Sequence, residues 1–341
     1  MTTIQSSKSK KNTLVISLGD PAGIGTEVTL KALGSRRINE NIHPLLVGCK
    51  NFIYETYENL IDHGIDNIPD PKKLDIIDIP LEKKIIPGKV NEHSGEASFK
   101  WLVNATNIVL EGNAKALITA PISKIAWHKA GHVFAGQTEL LGKLTNKKTS
   151  MLFTAISPIN GWRFNTLLAT THISLDKINN NLSKELIKFK LNALLNFCLQ
   201  FKEKPLIHIA GLNPHAGEEG KIGIEEQNLI IPTLNEWKAD NPAIKICGPI
   251  PPDTCWISSA DAWKSTSTEN NAPDGILALY HDQGLIPVKL IAFDEAVNTT
   301  LGLPFVRTSP DHGTALDIAG KFRARETSMI AAINNAWLLS R

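Results

Sequence analysis

Short apolar runs alternate with amphipathic stretches along most of the 341-residue chain. The apolar runs at 14–18, 116–120 and 207–211 are each bounded by turn residues and are too short for helices, so they predict strands. Apolar residues recur every three to four positions across 182–201, which predicts a helix. Strands that alternate with helices predict an α/β fold with mainly parallel sheets.

The same pattern predicts further elements along the chain. The other predicted strands are 44–48, 75–79, 151–156, 164–170, 244–248 and 276–280, and the other predicted helices are 28–33, 98–111, 225–237 and 327–339. The strands 151–156 and 164–170 predict a pair. The segment 258–273 is rich in Ser, Thr, Asn and Pro, which predicts an inserted surface loop. The polar, basic residues 1–13 lack the apolar core of a signal peptide and predict a floppy tail.

Composition narrows the class of protein. Apolar residues make up 42% of the chain and charged residues 21%, which is ordinary for a soluble globular protein, and a chain of this length predicts two domains. The net charge of +2 gives no indication of nucleic acid or a membrane surface as a partner. No apolar run approaches the roughly 20 residues of a membrane span. The four cysteines form no CxxC pair, which favours reduced thiols in a cytoplasmic protein.

Histidines follow three of the predicted strands. In open α/β sheets ligands bind beyond the carboxyl ends of the strands, and His172, His215 and His281 all lie at such positions. Three imidazoles suit a divalent metal such as zinc, with positions left open for substrate. The alternative is three separate loop histidines, each hydrogen-bonded locally. Their matching positions favour the metal site, whereas His208 lies inside a strand and predicts a core residue.

Two further segments could bind anions. The sequence GDPAGIG after the first strand resembles a turn that cradles phosphate, but it is not the GxGxxG fingerprint, so a tight turn lining a cleft is the alternative. Lys289, Asn298 and Arg307 suit an anionic substrate, because Arg offers a planar fork to phosphate. Ordinary surface charge is the alternative, and it fits Arg307 less well because that residue follows an apolar Pro-Phe pair.

Seven short strings occur in a fixed order between residue 14 and the C-terminal helix. They are GDPAGIGTE, TAPISK, TTHISL, GLNPHAGEEGKIGIEE, GPIPPDT, LYHDQGLIPVK and VNTTLGLPFVRTSPDHGTALDIAG. Together they resemble the 4-hydroxythreonine-4-phosphate dehydrogenases of pyridoxal phosphate biosynthesis. The resemblance implies a fold similar to isocitrate and isopropylmalate dehydrogenases, with two α/β/α domains around a central cleft. We expect a discontinuous first domain at 1–135 and 300–341. The second, at 136–299, would carry the metal-ligand loops and a dimer interface.

The resemblance also implies a site and its cofactors. The family's metal histidines fall on His172, His215 and His281, and in the family the site is completed across a homodimer. The positions that contact substrate match Gln137, Thr138, Lys289, Asn298 and Arg307, and Asp253 and Asp282 match acidic positions near the reacting centre that are candidates for the general base. The implied cofactors are NAD or NADP and one divalent metal per site, which is zinc, magnesium or cobalt.

The implied reaction is oxidation of 4-phosphohydroxy-L-threonine to 2-amino-3-oxo-4-phosphohydroxybutanoate, which decarboxylates to 3-amino-2-oxopropyl phosphate. This chain departs from the family at Gln137, where the family has histidine, and glutamine cannot carry a proton. Thr26 also replaces a common proline, and the segment 258–273 is longer than usual.

Gln137 supports an alternative, a related dehydrogenase of erythronate 4-phosphate, threonate 4-phosphate or a cyclic diol. Two other classes are a phosphate acyltransferase, which needs no metal, and a non-catalytic binding protein. The three histidines argue against both.

Overall fold

The computed structural model describes residues 12–267 and 271–341. In chain order the strands are β1 (Thr13–Ser17), β2 (His43–Gly48), β3 (Asp75–Asp78), β4 (Ala116–Thr119), β5 (Ser150–Ile156), β6 (Arg163–Leu168), β7 (Leu206–Ala210), β8 (Lys245–Ile250), β9 (Gly275–Ala278), β10 (Val297–Leu301) and β11 (Val306–Pro310). The helices are α1 (Gly25–Leu33), α2 (Lys50–Asp62), α3 (Glu92–Leu110), α4 (Lys124–Lys129), α5 (Gln137–Thr145), α6 (Ile178–Asn181), α7 (Lys184–Cys198), α8 (Ile231–Asp240), α9 (Ile257–Lys264), α10 (His281–Ala292) and α11 (Thr327–Leu339).

The chain divides into two compact units. One comprises the described residues up to Thr149 together with Val297–Arg341, and the other is Ser150–Ala296. The boundaries expected after residues 135 and 299 therefore shift. Segment 136–149 belongs with the first unit, because Leu140 and Leu141 of α5 are buried in its core. The predicted tail lies outside the described residues over positions 1–11, and Thr13 already belongs to β1.

The first unit is built on a sheet in the order β3-β2-β1-β4-β11-β10, in which only the pairing of β10 with β11 is antiparallel. Helix α3 packs against β1, β2 and β4, while α11 packs against β4, β10 and β11. Because helices cover its strands, β1 and β4 are buried along their whole length, as continuous apolar runs of a parallel sheet require. Each fully buried aliphatic side chain there contributes about 1.5–3 kcal/mol.

The second unit has a sheet in the order β5-β6-β9-β7-β8, with β5 and β6 antiparallel and the other strands parallel. Helix α7 packs on β6 and β9, and α10 packs on β5, β6 and β9. These pairings confirm an α/β fold with mainly parallel sheets. Among the described residues, every helix falls short of the length and apolar character needed to traverse a bilayer.

The loop predicted at 258–273 is partly wrong. Residues Ile257–Lys264 form α9, and Trp263 and Ala262 are buried, with Trp263 packed in the core of the second unit. Polar residues dominate the segment, so its composition did not indicate a helix, although burial of Trp263 holds that helix against the core. Part of the predicted loop, 268–270, lies outside the described residues.

Candidate functional site

His172 and His281 lie side by side, with their ring centroids 5.6 Å apart. The fold explains the pairing. Strands β6 and β9 are parallel neighbours, so the segments that follow them emerge at the same sheet edge. His172 follows β6, and His281 is the first residue of α10 after β9. Two imidazoles this close form a suitable partial ligand set for a divalent cation.

Asp282 makes a direct contact with one of these histidines. Its Oδ1 accepts a hydrogen bond of 2.7 Å from Nδ1 of His281. A carboxylate on one ring nitrogen fixes the tautomer, which leaves Nε2 of His281 as the atom able to bind a metal. The other predicted acid, Asp253, is exposed in the turn that follows β8.

His215 occupies a turn with an unusual backbone. It lies in the Pro214–Gly220 segment after β7, where six successive residues, 215–220, have positive φ, including 52° at His215 and 51° at Ala216. The left-handed conformation costs roughly 1–2 kcal/mol for each residue with a Cβ. Strain of this kind persists only when the surroundings impose it, and it concentrates at functional sites.

The described part of a single chain contains no group of three His, Cys, Asp or Glu side chains close enough to hold a metal ion. Of the three histidines predicted as ligands, the structure brings together His172 and His281 and places His215 on a separate turn of the same unit. The donors fit a divalent metal chemically, because they are imidazoles and one of them is oriented by a carboxylate.

A second group of polar residues surrounds the predicted substrate residue Arg307 in the first unit. Arg307 lies on β11 and is 3% exposed. It donates hydrogen bonds to Oγ1 of Thr119 (2.6 and 3.2 Å), Oγ1 of Thr300 (3.0 Å) and Oε1 of Gln137 (2.9 Å). All three acceptors are neutral, so the guanidinium charge is not cancelled by these partners. Burial lowers the pKa of Arg307 to about 10, and the nearby Glu139 opposes that shift.

Gln137 is held at both ends of its amide. Its Oε1 accepts from Arg307, and its Nε2 donates to the carbonyl of Ala120 at 3.0 Å. The observed role of Gln137 is therefore to tie the guanidinium to the end of β4. Thr138 follows it in the first turn of α5 and is half-buried.

Asn298 and Lys289 were also predicted to contact substrate. Oδ1 of Asn298, on β10, is buried and has no hydrogen-bond partner among the described residues. An unpaired buried acceptor costs about 1–3 kcal/mol, so this atom suits a donor from a ligand. Lys289 belongs to α10 of the second unit, with its ammonium 5.3 Å from the ring centroid of Phe293.

The GDPAGIG segment forms a self-contained turn. Asp20 is buried and its Oδ1 accepts from the backbone N–H of Ala22 at 2.8 Å. The N–H of Gly23 donates to Asp20 O, and that of Ile24 to Thr314 O. These donors are already occupied, and burial raises the pKa of Asp20. The geometry supports a tight turn rather than a phosphate cradle.

Sequence reasoning missed the hydroxyl acceptors Thr119 and Thr300. Thr119 ends β4 directly before the Ala-Pro pair of TAPISK, and Thr300 is the cross-strand partner of Arg307. A strand-end position was the available signal for Thr119. No such signal marks Thr300, because its role follows from strand pairing.

Comparison with known proteins gives consistent similarities. The family described as "Pyridoxal phosphate biosynthetic protein PdxA" matches residues 40–336. A 4-hydroxythreonine-4-phosphate dehydrogenase from Synechococcus sp. (strain RCC307) is 52% identical over 324 residues, covering 95% of this chain and 98% of the relative. A D-threonate 4-phosphate dehydrogenase from Pectobacterium atrosepticum is 35% identical, covering 96% and 99%. The crystal structure of a Klebsiella pneumoniae 4-hydroxythreonine-4-phosphate dehydrogenase is 32% identical with a TM-score of 0.78, covering 96% and 98%.

Proposed function

The chain belongs to the family of the pyridoxal phosphate biosynthetic protein PdxA and is a dehydrogenase, and we propose that it oxidises 4-phosphohydroxy-L-threonine. The proposed product, 2-amino-3-oxo-4-phosphohydroxybutanoate, decarboxylates to 3-amino-2-oxopropyl phosphate. The proposed cofactors are NAD or NADP and one divalent metal per site, zinc, magnesium or cobalt. The observation that carries the proposal is the adjacent pair His172 and His281, with His281 oriented by Asp282.

The histidines would hold the metal, with His215 as the third ligand. When bound, the metal would lower the pKa of the substrate hydroxyl and the nicotinamide would accept the hydride. Asp282 keeps the proton of His281 on Nδ1, so Nε2 is free of a proton and can act as a ligand. Because Asp282 is engaged in this way, we assign acceptance of the hydroxyl proton to Asp253.

Arg307 and its neighbours would bind the anionic groups of the substrate. A buried guanidinium surrounded by neutral acceptors is costly unless an anion joins it, which favours a phosphate or carboxylate there. We assign Lys289 to the other anionic end, as a point charge. Asn298 would accept from the substrate through its unpaired Oδ1, and Thr138 would add a hydroxyl.

We propose a homodimer with an active site shared between subunits. Ile286 and Leu290 of α10 and Phe293, which directly follows it, recur at helical spacing and are 58%, 82% and 58% exposed. The same helix begins with His281, so a second copy that covers these side chains would approach the metal ligands. Leu290→Asp should therefore yield a monomer with weakened metal binding, measured by sedimentation and metal titration. Lys84→Asp, a charge change on an exposed side chain of the first unit, is the control and should leave the dimer intact.

A second candidate function is oxidation of threonate or erythronate 4-phosphate, or of a cyclic diol. Gln137 in place of the family histidine and the 35% identity to a D-threonate 4-phosphate dehydrogenase support it. Either enzyme would act on a phosphorylated or cyclic small molecule. The four cysteines are free thiols, which supports the proposal of a cytoplasmic location.

The deciding experiment is NADH absorbance with purified protein, 4-phosphohydroxy-L-threonine, NAD and a panel of divalent metals. Metal-dependent turnover supports the first proposal. If only a sugar-acid phosphate or a cyclic diol is turned over, the proposed substrate is wrong and the proposed dehydrogenation stands. His215→Ala should abolish metal-dependent turnover while the protein stays folded, and full retained activity would refute the metal assignment.

A further inference from the structure

Glu226 is a buried carboxylate that the proposed reaction does not use. It is 1% exposed and begins a five-residue π-helical turn, Glu226–Ile230, that continues into α8. Short π-helical turns are rare and occur frequently at functional sites. Burying a carboxylate is costly unless hydrogen bonds compensate, so its contacts identify what it stabilises.

The hydrogen bonds that the Glu226 side chain makes to described residues go to the chain just before His215. Oε1 of Glu226 accepts from the backbone N–H groups of Leu212 (2.7 Å) and Asn213 (2.8 Å). Oε2 accepts from Nδ2 of Asn213 at 2.9 Å. Hydrogen bonds to a charged acceptor stabilise a structure more than those between neutral groups. The carboxylate therefore fixes the entry to the left-handed turn two residues before the histidine.

The turn itself also packs against this carboxylate. Gly217 has φ +80°, and a Cβ there would lie 2.7 Å from Oε2 of Glu226 and from the carbonyl of Gly223. Residues 215–219 adopt a backbone that L-residues disfavour, so they need outside contacts to hold it. Glu226 contacts both the entry and the interior of the turn.

We propose that Glu226 is a positioning residue, which locks the left-handed turn that presents His215 and thereby sets the metal affinity of the site. This inference rests on the proposed role of His215 as a ligand. The negative charge matters because both oxygens must accept. A glutamine could still accept from the two backbone N–H groups, but its NH2 would face the side-chain NH2 of Asn213, donor against donor.

The test is titration of metal-free full-length protein with cobalt(II), followed by visible absorbance. Glu226→Gln should weaken cobalt binding about 10- to 100-fold, because the entry to the turn that carries His215 loses a charged hydrogen-bond acceptor. Saturating cobalt should restore most of kcat, because the carboxylate does not touch substrate. Glu225→Gln is the matched control. Its carboxylate also accepts from Asn213 Nδ2 but holds no backbone N–H of the turn, so its affinity should change less than about threefold.

Three outcomes separate the possibilities. Wild-type affinity in Glu226→Gln, with binding lost in His215→Ala, would overturn the role of Glu226 and leave the metal site in place. Unchanged affinity in His215→Ala would overturn the metal site and this inference with it. If Glu226→Gln does not fold, Asn213→Ala tests the proposal instead. This variant removes the hydrogen-bond partner of Glu226 Oε2 and keeps the backbone bonds to Oε1. Unchanged cobalt affinity in Asn213→Ala would refute the proposal.

Discussion

Replacing Gln137 by alanine tests whether this residue positions Arg307 or moves a proton. The change removes a charge-assisted hydrogen bond of 2.9 Å to Arg307 and an amide bond of 3.0 Å to the Ala120 carbonyl. Typical values are about 1.5–3 kcal/mol for the first bond and about 1 kcal/mol for the second. Gln137 is half-buried, so water replaces part of this, and we expect a loss of about 2–3 kcal/mol in the free energy of unfolding.

The kinetic consequence should fall on KM. Arg307 keeps its bonds to Thr119 and Thr300 in Gln137→Ala, so the guanidinium loosens without leaving its place. We expect KM for the phosphorylated substrate to rise about tenfold, equivalent to about 1.4 kcal/mol, with kcat changed little. Urea unfolding and NADH-coupled initial rates measure the two effects. A fall in kcat at constant KM would refute the positioning role and assign Gln137 to the chemical step.

Gln137→Glu supplies the contrast that alanine cannot. A carboxylate at this position would pair with the buried guanidinium but would lose the hydrogen bond to the Ala120 carbonyl, so the folded state should be about as stable as wild type. The same pairing cancels the charge that would attract an anion, so KM should rise further than in Gln137→Ala. An unchanged KM in Gln137→Glu would show that Arg307 does not bind the substrate anion.

Two other predictions concern buried charges of the scaffold. Lys190 is 6% exposed with a hydrogen bond to Ser150, and burial lowers its pKa from 10.5 to about 8. The unfolded chain therefore binds more protons than the folded chain between about pH 8 and pH 10.5, so the free energy of unfolding should rise with pH across that window. Lys190→Met should stabilise the protein at pH 7 by up to about 3 kcal/mol. In urea unfolding the variant should also lose the rise of stability with pH. Glu27 and Lys31 form a buried ion pair at 2.8 Å, and Glu27→Ala should cost about 3–5 kcal/mol in thermal or urea unfolding, because it leaves Lys31 buried without a counter-charge. A loss under 1 kcal/mol would contradict that reasoning.

Apolar runs predicted the parallel strands well because those strands are buried on both faces. The runs at 14–18, 116–120 and 276–280 correspond to β1, β4 and β9, and every observed boundary lies within two residues of the predicted one. The last helix was predicted at 327–339 and is observed as Thr327–Leu339. In these elements the local apolar pattern agrees with burial in the folded protein, so the sequence alone was sufficient to locate them.

Helix α10 was not predicted, although it carries one of the candidate ligands. Gly284 and Pro287 lie inside it, and both disfavour a helix in isolation. The structure explains the glycine, since a Cβ at Gly284 would lie 2.5 Å from Cδ2 of Leu168, so the helix approaches β6 more closely than any other residue would allow. Tertiary packing therefore overrides local propensity here.

The close approach at Gly284 and the pairing of His172 with His281 are parts of one arrangement. The two histidines were grouped because each follows a predicted strand, and the parallel pairing of β6 with β9 places those strand ends at the same sheet edge. Whether the rings meet depends on how near α10 lies to β6, and a small residue at the crossing sets that distance. Similarly, the position of His215 after β7 could be predicted, but its left-handed backbone could not. That conformation depends on Glu226, a residue eleven positions later whose carboxylate contacts become evident only in the folded chain. Residue type and strand order thus identify which side chains can act together, while packing details distant in sequence determine their geometry.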